Sequence, residues 1–136
     1  MPTKRLLATL LATIALAGAA YAHAAEETVR PNFSHAIPNL PGKSLVAVEV
    51  NYPPGAASAP HHHAGSAFIY AYVVSGEIES QVDNGPARIY RAGESFYEAP
   101  GAHHGISRNA STTQPAKLLA VFVVDTGEHP LTTPDK

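Results

Sequence analysis

Hydrophobic and polar residues alternate from Leu45 to Tyr52: Val46, Val48, Val50 and Tyr52 fall on one side, Leu45, Ala47, Glu49 and Asn51 on the other. A period of two is that of a β-strand lying in a half-buried sheet. Ala67–Val74 is rich in β-branched and aromatic residues and stops at Ser75-Gly76, which turns the chain into Glu77–Val82. Asp83-Asn84-Gly85 reads as a hairpin turn, because Asn and Gly tolerate positive φ. Ala87–Tyr90 returns, Arg91-Ala92-Gly93 turns again, and Ser95–Glu98 is a further short strand. The Leu118–Val124 run within Lys117–Asp125 is apolar on both faces, as in the central strand of a sheet. Seven or eight short strands separated by glycine turns predict an all-β sandwich or barrel of jelly-roll type.

The flanks read differently. Lys4-Arg5 precede an apolar run from Leu6 to about Ala20, and Ala22-His23-Ala24 then offers a small-residue cleavage site. Residues 1–24 are therefore expected to be a secretory signal peptide, and the mature chain to be periplasmic or secreted, off the membrane once cleaved. Residues 25–43, punctuated by Pro31, Pro38 and Pro41, read as an extended arm without helix. Residues 44–125 form the barrel, and the tail at 126–136, with Pro130 and Pro134, reads as loosely ordered.

Composition narrows the options. A chain of 136 residues is one domain, and without cysteine it has no disulfide framework, thiolate ligand or cysteine nucleophile. Charged residues make up 15% and the net charge is −2, which leaves no basic footprint for nucleic acid. No phosphate-binding glycine loop and no Ser-His-Asp constellation is present.

The candidate chemistry lies in the histidines. His61-His62-His63 runs ahead of the Ala67–Val74 strand, and His103-His104 follows Pro100-Gly101-Ala102. On a strand His61 and His63 share a face and His62 points the other way. Two imidazoles from one strand and a third from another make a usable metal site. His35 reads as a surface or packing histidine; His23 and His129 are not candidates. Phe68, Tyr70 and Tyr72 share a strand face and are expected in the core.

The spacing of these residues resembles the cupin superfamily. Its first motif runs Gly, five residues, His, one residue, His, then a Glu and a Gly; Gly55, His61 and His63 match it, and Gly76 takes the place of the closing glycine. Its second runs Gly, five residues, Pro, one residue, Gly, two residues, His, three residues, Asn; Gly93, Gly101 and His104 match in register. Register thus favours His104 over His103. The resemblance spans about Ser44 to Asp125 and implies a single cupin barrel with His61, His63 and His104 converging on a divalent transition metal (Fe, Zn, Mn, Ni or Cu).

Three positions depart from the pattern. The motif glutamate falls on Ala67, or on Ile69 when counted back from Gly76, and neither binds metal. Ala99 replaces the proline, with Pro100 beside it, and Arg108 replaces the asparagine, with Asn109 one step beyond. Some cupins resembling cysteine dioxygenase and diketone-cleaving dioxygenase use three histidines alone, so the resemblance still implies a dioxygenase-like oxidoreductase on a small molecule, with isomerase or lyase chemistry as variants. A non-catalytic cupin that binds a metal or small ligand, as a sensor or carrier, is the alternative. The resemblance also implies a homodimer formed through barrel edges, with the arm available for strand exchange.

Glu98 is the one carboxylate in the short strand leading to His104. Alternation pairs it with Phe96, whose bulk suits the interior, and a buried carboxylate needs a partner or a metal. It is expected to be a fourth ligand, a partner of a ligating histidine, or a general base. A local bend would instead turn it out to the rim.

Overall fold

The computed structural model describes residues 25–136, and every regular element within them is a β-strand. The signal segment and its cleavage site lie outside the described residues. In chain order the strands are β1 (Thr28–Ala36), β2 (Lys43–Tyr52), β3 (His61–His63), β4 (Phe68–Ser75) and β5 (Glu77–Val82). There follow β6 (Arg88–Arg91), β7 (Ser95–Glu98), β8 (His103–Asn109), β9 (Ala116–Asp125) and β10 (Thr132–Pro134). They form two five-stranded sheets, β1-β2-β9-β4-β7 and β10-β3-β8-β5-β6. This is the jelly-roll architecture that the alternation predicts.

Strand β9 occupies the centre of the first sheet, as its two-faced apolar run requires. Ala116, Leu118, Ala120, Phe122 and Val124 point inward, and the residues between them are half-buried except Asp125. The inward residues feed two apolar clusters. One gathers Val50, Tyr52, Ala56, Ala71, Val73, Ile78, Ala116 and Leu118; the other Ala64, Ala67, Ile69, Ala120, Phe122 and Val124. Full burial of side chains such as Ile69, Ile78 and Phe122 stabilises the fold by roughly 1.5–3 kcal/mol each. Gly76, at φ +73°, closes the β4–β5 turn against β9: a Cβ there would lie 2.5 Å from the Pro115 carbonyl oxygen and 2.8 Å from Ala116 Cβ.

Four expectations are corrected or refined. The arm is extended, but β1 is a full strand of the first sheet, paired antiparallel with β2 from Thr28↔Asn51 to Ala36↔Ser44. Every β1 residue is exposed, so the pairing rests on backbone hydrogen bonds, with one side-chain bond from Asn32 Nδ2 to Glu49 Oε1 at 3.3 Å, and leaves no hydrophobic pattern. Pro31 is tolerated because the strand lies at an edge and the register shifts beside it. The tail is not loose throughout: Thr132–Pro134 pairs with the histidine strand as Thr132↔His63, Thr133↔His62 and Pro134↔His61.

The aromatic face of β4 points outward. Phe68 and Tyr70 are 45% and 44% exposed, while Ile69, Ala71 and Val73 fill the interior. An interior narrowed by two facing sheets, and holding a cavity, takes the smaller side chains. At the β5–β6 hairpin the positive φ falls on Asp83 (49°) instead of Asn84 or Gly85.

Candidate metal centre

Strands β3 and β8 are antiparallel neighbours with His61 opposite His104 and His62 opposite His103. Residues opposite each other project to the same face, so His61 and His104 point inward together. His63, two residues along β3, joins them. One donor atom from each of His61, His63 and His104 lies within 4.8 Å of the others, a group that could hold a metal ion. His61 and His104 are buried, and the His63 side chain is 7% exposed.

Each ring is oriented from behind. His61 Nδ1 donates to the Ala59 carbonyl at 2.7 Å, which turns Nε2 into the site. His63 Nδ1 faces the Leu131 carbonyl and Thr132 Oγ1, both at 3.3 Å, so its Nε2 also points in, 3.2 Å from His61 Nε2. His104 Nε2 meets Ser80 Oγ at 2.8 Å and leaves Nδ1 toward the site. Burial lowers the pKa of His61, which keeps its imidazole neutral and able to ligate.

Glu98 approaches the three histidines from the opposite wall. It sits on β7 of the first sheet, whereas the three histidines belong to the second. Its side chain is 2% exposed, with Oε2 2.8 Å from His63 Nε2 and Oε1 2.6 Å from His104 Nδ1. The inward reading of Phe96 and Glu98 therefore holds, and the rim alternative does not. Burial alone would raise the Glu98 carboxyl, but the imidazoles of His104 and His63 outweigh it and hold the group at about 2.

Close as the His104 contact is, Oε1 makes no well-formed hydrogen bond. Among the described residues, the ionic partners of this buried carboxylate are imidazoles alone. Three imidazole nitrogens and a carboxylate oxygen, with no thiolate, suit Fe, Mn, Zn, Ni or Cu as divalent ions. The residues present thus fit the metal that the resemblance implies.

The group opens into a cavity of about 270 Å³. Its walls are largely apolar, with Val48, Val50, Phe96, Leu118 and Phe122 prominent. A second polar feature is a hydroxyl cluster in which Tyr52 Oη lies 2.8 Å from both Ser58 Oγ and Ser107 Oγ. Burial raises the Tyr52 pKa, so it stays a neutral phenol. Glu27 and Val29 of the N-terminal segment and Thr132 and Pro134 of β10 also line the cavity.

Other candidates fall outside the site. His62 and His103 point to the outer surface, and His35 is exposed, its Nδ1 2.6 Å from the Ala36 carbonyl. Arg108 is exposed and pairs with Glu79 at 2.6 Å. Asn109 is a structural latch: its Nδ2 donates to the carbonyls of Tyr52, Pro53 and Gln114, and its Oδ1 accepts from the Ser111 N–H. Sequence reasoning did not single out Ser80, Ser107 or Tyr52 for the site. The signal for Ser80 was available, since it shares the inward face of β5 with Ile78.

The chain belongs to the cupin domain family, whose model matches residues 48–122, a span that holds His61, His63, Glu98 and His104. No curated protein matches the chain. Among solved structures it is similar to a Klebsiella pneumoniae protein with a double-stranded β-helix domain, at 21% identity and TM-score 0.63 over 82% of this chain and 86% of that one. A Thermus thermophilus protein shares 27% identity and a TM-score of 0.57 over 73% and 84%. A recombinant oxalate oxidase in complex with glycolate gives 21%, with TM-score 0.60 over 79% and 54%. Cupins commonly bind a metal, and His61, His63 and His104 form a group able to hold one. No helix among the described residues is long and apolar enough to cross a membrane.

Proposed function

We propose that the chain is an exported, metal-dependent cupin enzyme, a dioxygenase-like oxidoreductase on a small molecule, with its ion held by His61, His63, His104 and Glu98. The observation that carries this reading is the buried Glu98 carboxylate, set between His63 and His104 with Oε1 lacking a directed partner. The ion would supply a Lewis-acid centre and, as Fe, Mn or Cu, a redox couple for chemistry with O₂.

The residues define the substrate by charge and size. Three neutral imidazoles alone would leave a divalent ion its full charge, and the Glu98 carboxylate halves it. A net positive charge remains and favours an anionic or chelating group on the substrate. Val50, Leu118 and Phe122 favour an apolar body, and about 270 Å³ restricts it to a small molecule. Tyr52 and its two serine partners supply hydroxyls able to orient a second polar group on the substrate.

Metal analysis of the protein and of its His61→Ala, His63→Ala, His104→Ala and Glu98→Gln variants tests the ligand set, and O₂ uptake with small carboxylates tests the reaction. Each alanine variant is expected to lose the inner ion; full metal content in all four would overturn the reading. One observation favours the non-catalytic alternative: the cavity hydroxyls of Tyr52, Ser58 and Ser107 bond to one another, and Glu98 is committed to the histidines. Metal retention with no turnover of any small acid would select that alternative. Export follows from the leader; intact mass of protein from the periplasmic fraction should correspond to a chain starting near Ala25, and a full-length chain held in membranes would refute it.

A further inference from the structure

The two rungs that turn His61 and His104 inward turn His62 and His103 outward. On that outer face the imidazole rings lie 4.5 Å apart, inclined by 34°. Asp135 sits over both, with Oδ1 3.1 Å from His62 Nδ1 and Oδ2 2.8 Å from His103 Nε2. One donor atom from each of the three lies within 4.8 Å of the others. We infer that His62, His103 and Asp135 form a second, solvent-facing site for a divalent transition metal such as Zn²⁺, Cu²⁺ or Ni²⁺.

The placement of these donors is set by backbone, not by side-chain drift. Asp135 follows β10, which pairs with β3, and the Asp135 N–H donates to the Pro60 carbonyl at 2.9 Å. His103 is fixed by Asp83, whose carboxylate accepts from the His103 N–H at 2.9 Å and whose own N–H donates to the His103 carbonyl at 2.7 Å. Asp83 holds the positive φ of the β5–β6 hairpin while doing so. A pair of imidazoles with one carboxylate is a donor set for borderline metals, and three protein ligands at the surface leave the remaining positions to water. Such an ion exchanges with solvent more readily than one in the interior.

An ion here would also act on the cavity. The β10 segment that delivers Asp135 also contributes Thr132 and Pro134 to the cavity wall, and the adjoining Leu131 carbonyl faces His63 Nδ1. Binding at the outer face therefore fastens the strand that walls the inner one.

The test is Zn²⁺ binding by equilibrium dialysis on protein carrying no histidine tag. The wild-type chain should take up two ions, and His62→Ala, His103→Ala and Asp135→Asn should each weaken the second by at least tenfold while leaving the first. His61→Ala should lose the inner ion and keep the outer one, which separates failure of this inference from failure of the inner assignment. Unchanged binding of the second ion in His62→Ala would overturn the site. So would loss on His62→Ala with none on Asp135→Asn, since the histidines alone would then explain the binding.

Discussion

Ile69 and Glu98 face each other across the β4–β7 ladder, both pointing inward and both almost completely buried. Ile69 is where the cupin glutamate falls when counted back from Gly76. The carboxylate missing from β4 is thus matched by one on the adjacent strand, a single rung across. Glu98→Gln keeps size and removes charge, and is expected to weaken the inner metal by at least tenfold, as measured by competition with a chelator. Ile69→Glu/Glu98→Ile should restore much of that affinity, because the carboxylate returns to the same interior face. Ile69→Glu alone should destabilise the metal-free fold, since it sets two buried carboxylates against each other.

The acid behaviour of the metal-free protein follows from two groups. Glu98 is held at about 2, below its ordinary 4.5, and burial places His61 below its ordinary 6.5. Both are depressed in the folded state, so the unfolded chain binds more protons at mildly acid pH and stability rises with pH. The His61 contribution is complete above about 6.5 and is lost as pH falls through its lower folded value. The Glu98 contribution is complete above about 4.5 and is lost toward 2. Urea unfolding in the presence of a chelator should give midpoints that fall steadily from pH 7 to pH 3. A flat profile would contradict the buried Glu98–histidine contacts.

Asn109 stands one residue past the family's asparagine position and acts through hydrogen bonds. Asn109→Ala strands carbonyls of Tyr52, Pro53 and Gln114 and is expected to cost about 2–4 kcal/mol in denaturant unfolding. Asn109→Asp should be worse than alanine, because its carboxylate would face three carbonyl oxygens. Equal stability of the two variants would rule out this donor role.

Phe68, Tyr70 and Tyr97 form an exposed aromatic patch on the outer face of β4 and β7, with Phe68 and Tyr97 stacked at 5.9 Å between centroids. We propose that the homodimer implied by the resemblance forms at this edge of the barrel, where β7 ends the first sheet, and covers the patch. Light scattering should give twice the chain mass for the native protein and the chain mass for Tyr70→Glu/Tyr97→Glu. A monomer at all concentrations would dispose of the dimer.

β2 was legible from its alternation in sequence and β9 from its two-faced apolar run; the observed burial alternates strictly along β9, whereas β2 buries Ala47 on its other face as well. The clustering of the inner residues was legible too: alternation alone separates His61 and His63 from His62, and turns Glu98 in with Phe96. Strands β1 and β10 were not, because an exposed strand held by backbone pairing imposes no pattern on its side chains. The outward turn of Phe68 and Tyr70 was missed for a different reason. β4 has apolar residues on both faces, so only the volume available between the sheets decides which face goes in. The outer metal group depends on where β10 lies, and so could not be read from spacing.

Within the first sheet β2 and β4 never touch as neighbours; each is hydrogen-bonded to β9, which pairs Lys43 with Asp125 and Tyr52 with Ala116. Both partners must wait for a strand that is made much later in the chain. Pairings of such long sequence separation carry a large loop-closure cost before any contact offsets it, so folding should be slow, on the order of milliseconds to seconds, and concerted. Until β9 inserts, the sheet bearing Glu98 is in two pieces and the histidine sheet has nothing to close against. A chain stopped before Ala116 would expose two unsatisfied strand edges and aggregate in preference to binding metal. Capture of a metal by this group would thereby be a late event, confined to chains whose β9 is already in place.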